Sequence, residues 1–361
     1  MVSVRRFIAC SSTYGRHGIG LHFAQLVEES RSADELYGYS TPQIRPGDER
    51  MTVRIDSPRL SMITRKLIRP SQARFYEMMS ARFEKALAES LPTGANTLMV
   101  FAGRALESIK RAKQLGYEKI ELISPTSHIS NAYARHQVGM ARSEIFDSWL
   151  SEYSRDRVLE EYEQADKIYV HSDYTRDSFL TRGFPAEKLV RTHLVPNPRF
   201  VPPRKRIKTA GFQIVYVGRI DSSKGIHVLI DAFRKLDMPD SRLRLVGGWS
   251  TRGMKKYILN ACEDPRIEAA PGDPLPILHQ ADVFVHPTFE DGFAYAPVEA
   301  LCTGVPVIVT EDTGMKEYVV SGDNGYIIPA GDVDVLVETI RKFRDEPLEF
   351  DAKKIRKRFY A

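Results

Sequence analysis

Two Rossmann-like α/β domains, each built on a parallel sheet, are predicted by three features of the sequence. Short apolar runs alternate with helical segments from Arg6 to Phe343, the pattern of a parallel sheet covered by helices on both faces. The length of 361 residues is long for one core and comfortable for two. A stretch rich in proline, lysine and arginine, 196–212, interrupts the alternation and reads as an interdomain linker. The expected organisation is a first domain over 1–198, a linker over 199–211, a second domain over 212–345 and a tail over 346–361 that can return to the first domain.

In the first domain, Arg6 to Ala9 reads as a strand, followed by S-S-T-Y-G-R-H-G-I-G and a helix over about 21–28. Gly15, Gly18 and Gly20 let backbone approach a ligand where helix N–H groups are unpaired. The spacing is not G-x-G-x-x-G, and no acidic residue ends a second strand about twenty residues on, so a dinucleotide fingerprint is not met. Residues 59–69, R-L-S-M-I-T-R-K-L-I-R, place Leu60, Ile63 and Leu67 on one helical face and most of the basic residues elsewhere. Such a helix packs on its own domain, lies on an anionic membrane surface or grips an acidic acceptor. A helix over 71–88, a strand over 97–101, a helix over 106–115 and a strand over 120–123 follow. The last ends in S-P-T-S-H, which puts His128 beyond a strand's C-terminal end, the side on which such sheets bind ligands. One more strand is expected over 167–171.

The second domain opens with a strand over 213–217 and then G-R-I-D-S-S-K-G, ahead of a helix starting near His227. Arg219 and Lys224, five positions apart after Gly218, offer two cations beside a positive helix end, a place for a diphosphate. A strand running into a glycine turn over 243–248, a helix over 254–262 and a short apolar segment at Ile267 lead to the most informative stretch, Val283 to Thr303. Here Val283, Phe284 and Val285 read as a buried strand, Glu290, Asp291 and Gly292 as a loop, and 295–302 as a helix. Backbone N–H groups near Phe293 and Ala294 would then favour a phosphate. Asp291 and Glu299 stand eight positions apart, one at the loop rim and one inside an apolar helix, where a carboxyl needs a partner such as a ligand hydroxyl or a group of the fold itself. Farther on, Gly314 and Glu317 follow a buried strand, with capping and ligand roles both open for Glu317. Asp332 and Asp334 precede a helix over 335–343 and read as caps, and no stretch forms a metal site.

With 42% hydrophobic and 27% charged residues the composition is that of a soluble globular protein. No apolar run approaches the roughly eighteen residues of a spanning helix, and M-V-S-V-R-R-F-I-A-C lacks a signal peptide's core, so a cytoplasmic protein is expected. Cys10, Cys262 and Cys302 are too dispersed for a disulfide framework or zinc site. A net charge of +5 permits a nucleotide or an acidic membrane surface as partner and makes no case for nucleic acid.

The segment D-G-F-A-Y-A-P-V-E resembles the acidic motif of the retaining nucleotide-sugar glycosyltransferases of family 4, which have the GT-B fold with two Rossmann-like domains facing across a cleft. It departs from the family pattern at Asp291, where Glu is usual, and at Ala294, where a second Gly is usual; Glu290 competes for the first acidic role if the loop register slips by one. The resemblance is strong over 213–340 and weak before Lys167. It implies an acceptor-binding first domain, a donor-binding second domain and transfer of a hexose-type sugar to a hydroxyl on a glycan, lipid-linked or small-molecule acceptor, with retention. On this basis Arg219 and Lys224 hold the donor diphosphate together with the amides of Phe293 and Ala294, and Gly218, Glu290 and Gly292 belong to the donor-binding loops. Glu299 takes the ribose, Asp291 orients the sugar, His128 touches it, and Gly18 and Gly20 face the donor phosphate and acceptor. The substrate implied is a UDP- or GDP-linked sugar, with no tightly bound cofactor and no metal required. No side chain stands out as a covalent nucleophile, so same-face attack with the leaving phosphate as proton acceptor is preferred. A nucleotide-sugar epimerase and a non-catalytic nucleotide-sugar-binding protein share the architecture. Oligomeric state is not assigned.

Overall fold

The computed structural model describes residues 4–16, 18–42, 52–54, 71–205, 207 and 209–360; the basic stretch 59–69 lies outside them. The chain divides into two compact units. The first comprises Met1–Tyr133, Trp149–His171 and Thr175–Val195, and the second Ala134–Ser148, Ser172–Tyr174 and Pro196–Ala361. The second unit thus includes two short segments that precede the linker in sequence.

The first unit is built on a seven-stranded sheet of β1 (Arg6–Ala9), β2 (Leu36–Thr41), β3 (Thr52–Arg54), β4 (Thr97–Phe101), β5 (Lys119–Ile123), β6 (Lys167–Val170) and β7 (Leu189–Arg191), ordered β3-β2-β1-β4-β5-β6-β7. Every pairing is parallel. Strands buried on both faces read as unbroken apolar runs, and so β1 and β4 could be located from sequence: Phe7, Ile8 and Ala9 pair with Leu98, Met99 and Val100, and all six are buried. Helices Ile19–Ser32 and Gln72–Ser90 are longer than expected, the second beginning where the Ser71 side chain accepts from the Arg74 amide at 3.3 Å. Helices Ile129–Ser143 and Glu152–Gln164 were not expected from the sequence. The turn after β4 is fixed by the buried Glu161 carboxyl, which accepts from the Gly103 and Ala105 amides at 2.7 and 2.9 Å and is pushed up to about 7 by burial.

The second unit is doubly wound in the same way. Its strands β8 (Gln213–Val217), β9 (Arg242–Val246), β10 (Ile267–Ala270), β11 (Val283–His286), β12 (Val307–Thr310) and β13 (Gly325–Ile328) run β10-β9-β8-β11-β12-β13, all parallel. The core includes Tyr216, Leu229, Phe233, Val285 and Phe343. The chain proceeds outward from β8 to β10, returns to the centre, and proceeds the other way from β11. The loops after β8 and β11 therefore lie side by side at the topological switch point, where doubly wound sheets bind ligands. The tail forms a helix, Ala352–Tyr360, that packs within the second unit, with Phe359 4.6 Å from the Tyr318 ring and the Tyr360 hydroxyl donating to the Pro196 carbonyl at 2.9 Å.

Candidate functional site

At the second unit's switch point two glycines permit an approach that no side chain would. Gly218 follows β8 at φ 149°, and a Cβ there would stand 2.8 Å from the Tyr216 hydroxyl. Gly225 has φ 69°, and a Cβ would fall 1.9 Å from the Pro287 carbonyl oxygen. The loop after β8 thereby lies directly against the loop after β11. Between them, Lys224 Nζ donates to Asp291 Oδ2 at 2.7 Å and to the Glu290 carbonyl at 2.9 Å. Of the two adjacent acids, Asp291 offers its carboxylate to the lysine and Glu290 its backbone oxygen.

The local electrostatics follow from this pairing. Burial alone would raise the Asp291 carboxyl, but the Lys224 ammonium and the His286 ring, whose Nε2 is 3.4 Å from Oδ2, hold it well below the usual carboxylate range. Arg219 Nε is ion-paired with Asp221, which is buried and also accepts from the Ser223 hydroxyl at 2.7 Å and the Lys224 amide at 3.0 Å. Burial would raise Asp221 too, and Arg219 and then Lys224 hold it down. Each cation singled out in the sequence therefore stands beside a carboxylate of its own unit.

The helix Tyr295–Cys302 starts at Ala294 with no side-chain cap, and the first N–H groups of a helix are the ones that an anion can satisfy. Ala294 has φ 67°, a left-handed conformation in which glycine is at ease and an L residue is strained. Beside it, the Gly292 carbonyl accepts from the Ser172 hydroxyl at 2.6 Å, and Phe293 is buried edge-on to Tyr295 and Tyr318. Glu299 lies one turn into the helix; burial pushes its carboxyl up to about 8, with the Arg199 charge opposing. The folded chain thus keeps a proton that the unfolded chain releases from about pH 4.3 upward, so Glu299 weakens the ligand-free fold increasingly as pH rises through that window. We expect Glu299→Gln to have an unfolding midpoint close to wild type near pH 4 and a growing advantage toward about pH 8.5. A constant difference across that range, in calorimetric scans without ligand, would contradict this.

Other acidic residues have structural partners. Glu317 accepts from the Asp173 amide, and from the Tyr174 amide at 3.4 Å, at the start of helix Asp173–Leu180. Asp332 caps Val333–Asp345 by accepting from the Val335 amide at 3.0 Å, and Asp334 pairs with Lys235 at 2.5 Å. Among the described residues no group of three or more His, Cys, Asp or Glu could hold a metal ion. No helix there is long and apolar enough to cross a membrane.

Gly18, Gly20 and His128 belong to the first unit, whereas Arg219, Lys224, Asp291, Glu299 and their neighbouring glycines belong to the second. Gly18 has φ 52° at the start of helix Ile19–Ser32, and a Cβ on Gly20 would stand 2.2 Å from the Thr13 carbonyl oxygen. His128 is buried edge-on to Phe179, its Nδ1 accepting from the Ser130 amide at 3.2 Å; burial and then Arg182 lower it to about 4, so it is neutral at physiological pH. Sequence reasoning missed Asp147, His286 and Asp221. His286 and Asp221 lie inside stretches the sequence singles out, but Asp147 has no local signal, since its partners Ser222 and Ser250 are 75 and 103 residues away.

Residues 199–360, just under half of the chain, match the family model described as "Glycosyl transferases group 1". The capsular polysaccharide biosynthesis glycosyltransferase CapM of Staphylococcus aureus is 35% identical over 144 residues, which cover 38% of each chain. The O-antigen chain mannosyltransferase B of Escherichia coli is 27% identical over 205 residues, covering 51% of this chain and 53% of that one. The chain thus spans between a third and about half of the length of these curated relatives. Among solved structures, sucrose-phosphate synthase from Thermosynechococcus elongatus aligns with a TM-score of 0.67 at 18% identity, over 99% of this chain and 94% of its own. HepE of Anabaena, solved in complex with UDP-glucose, aligns with a TM-score of 0.64 at 15% identity, over 99% and 98%. These likenesses establish the fold: two parallel-sheet α/β units of the GT-B type.

Proposed function

We propose that the chain is a retaining glycosyltransferase that moves a hexose-type sugar from a UDP- or GDP-linked donor to a hydroxyl on a glycan, lipid-linked or small-molecule acceptor. The observation that carries the reading is the switch-point cluster of the second unit, where Arg219, Lys224 and Asp291 converge from two adjoining loops beside helix Tyr295–Cys302. The family match over 199–360 supports it, because the matched segment contains all of these residues. Relatives named for capsular polysaccharide and O-antigen synthesis favour a polysaccharide or glycoconjugate product.

Glycosyl transfer passes through a cation-like sugar as a diphosphate departs, so the protein's main contribution is to stabilise that anion and to place the attacking hydroxyl. In the proposed reaction Arg219, Lys224 and the amides at Phe293 and Ala294 receive the diphosphate. Asp291, kept ionised by Lys224 and His286, orients the sugar hydroxyls, and Glu299 accepts from the ribose. The departing phosphate takes the acceptor's proton on the face it leaves, which accounts for retention without a protein nucleophile. Residues 1–198 bind the acceptor and carry His128 and the Gly18–Gly20 loop, 212–345 bind the donor, and 199–211 join them. No metal or resident cofactor has a role in this reading. A cytoplasmic site of action is proposed, with residues 59–69 able to rest on an anionic membrane surface.

Thermal unfolding with a panel of nucleoside diphosphates tests the reading. A ligand at about a hundred times its dissociation constant stabilises by roughly 2.7 kcal/mol, a shift of a few degrees. We expect UDP or GDP to give that shift and Arg219→Ala to lose it. No shift from any base, with the protein folded, would reject the donor site.

A further inference from the structure

The loop that carries Arg219 and Lys224 is gripped from outside by a segment that precedes the linker yet belongs to the second unit, Ala134–Ser148. The grip centres on Ser222, which is fully buried. Its amide donates to both carboxylate oxygens of Asp147, at 3.3 and 3.2 Å, and its hydroxyl lies 2.7 Å from the Ser143 hydroxyl and donates to the Ile145 carbonyl at 3.2 Å. A Cβ on Gly139 would stand 2.7 Å from the Ser222 carbonyl oxygen, so the helix Ile129–Ser143 passes as close to the loop as a glycine permits. Beyond that helix, Glu144 adopts φ 55°, and the chain reverses to bring Ile145 and Asp147 back onto Ser222. A residue other than glycine held in this conformation is sustained by its surroundings, here the contacts on Ser222. Asp147 is itself buried, and its Oδ2 also accepts from the Ser250 hydroxyl at 2.5 Å, which ties the loop after β9 into the same grip.

We propose that Asp147 is a positioning residue for the donor site: through the Ser222 amide it fixes the loop in which Arg219 and Lys224 are set. It deepens the donor-site reading above and rests on it. Ser222 lies between the two cations, one residue after Asp221 and two before Lys224, so its amide is a natural point at which to hold both. A loop free to shift by an ångström would present its cations to the diphosphate in poorer geometry, which weakens binding and transfer together. Asn at 147 can replace both interactions, its oxygen accepting from Ser222 and its amide donating to Ser250; Ala can replace neither.

The test uses the full chain as wild type, Asp147→Ala, Asp147→Asn and Ser250→Ala. Amide exchange of the peptide spanning 219–225 is followed by mass spectrometry, and the dissociation constants of UDP and GDP are measured by calorimetry. For Asp147→Ala we expect exchange at Ser222 to quicken about tenfold or more and the dissociation constant of the bound diphosphate to rise by a similar factor. Asp147→Asn should hold both within about threefold of wild type, a rescue that a general loss of stability would not give. Exchange and affinity in Asp147→Ala within threefold of wild type would overturn the proposal, as would equal impairment of the Ala and Asn variants. Should Asp147→Ala fail to fold, Ser250→Ala, which removes one bond of the grip, is expected to quicken exchange over 219–225, and an unchanged rate there would overturn the proposal. If wild type binds neither diphosphate, the glycosyl-transfer reading is what fails, and the exchange rates alone decide whether Asp147 holds the loop.

Discussion

Replacing Lys224 by Met is expected to destabilise the chain by about 3 kcal/mol near neutral pH and to change the sign of its response to acid. The methionine keeps most of the aliphatic stem but leaves Asp291 without the ammonium that compensates its burial, and leaves the Glu290 carbonyl without its donor. The two side chains are 18% and 22% exposed, enough for water to screen the pair in part and keep the loss at the lower end of the range for buried ion pairs. In wild type the Asp291 carboxyl is held below its unfolded value, so its contribution is complete above about pH 4 and is lost as pH falls further. In the variant, burial is opposed only by the His286 ring, and the carboxyl rises. Protonation then relieves the fold, and the variant gains on wild type as the pH is lowered. Urea unfolding between about pH 2.5 and pH 8 reads both effects. A deficit that is absent at neutral pH, or that stays constant as pH falls, would mean that Lys224 does not govern Asp291.

How much of this was legible in the sequence depends on whether the information is local. The strands β8 and β11 are unbroken apolar runs ending in polar or glycine-containing loops, and β8 and helix Tyr295–Cys302 lie where the sequence expected them. Arg219, Lys224 and Asp291 were legible because each lies just beyond a buried strand. That Lys224 bonds to Asp291 was not, because the two are 67 residues apart and meet only through the β8–β11 adjacency. Helix Ile129–Ser143 escaped notice for a different reason. Its start carries a short apolar set, Ile129, Ala132 and Tyr133, whereas its C-terminal half turns histidine, glycine, arginine and serine toward the second unit's loops, so the apolar period does not run the length of the helix. Ala294 is an instructive intermediate. The departure from glycine was visible in the motif, but only the backbone angle of φ 67° gives the reason glycine suits the position, with a cost to alanine of roughly 1–2 kcal/mol.

Arg219→Ala is expected to lower turnover of the donor by about a hundredfold or more, the loss found when one preorganised charge-stabilising group is removed from a developing anion. The ion pair with Asp221 gives the prediction a second part. Asp221 is buried, caps the turn Ser222–Lys224 and is held ionised first by Arg219 and then by Lys224. Without the arginine its negative charge is left facing the place where the diphosphate would sit, so the substitution removes an attraction and also exposes a repulsion. Arg219→Lys should therefore recover only part of the activity, because one ammonium cannot serve Asp221 and the diphosphate as a planar five-donor fork can. Adding Asp221→Asn to Arg219→Ala should recover some of the lost rate by deleting the repulsion while an amide oxygen remains to cap the Lys224 amide. Single-turnover transfer with the donor identified by thermal shift measures all three. If Arg219→Ala stays within a fewfold of wild type, the arginine does not stabilise the departing diphosphate. If the double variant is no faster than Arg219→Ala alone, the charge of Asp221 is not what the arginine was holding in check.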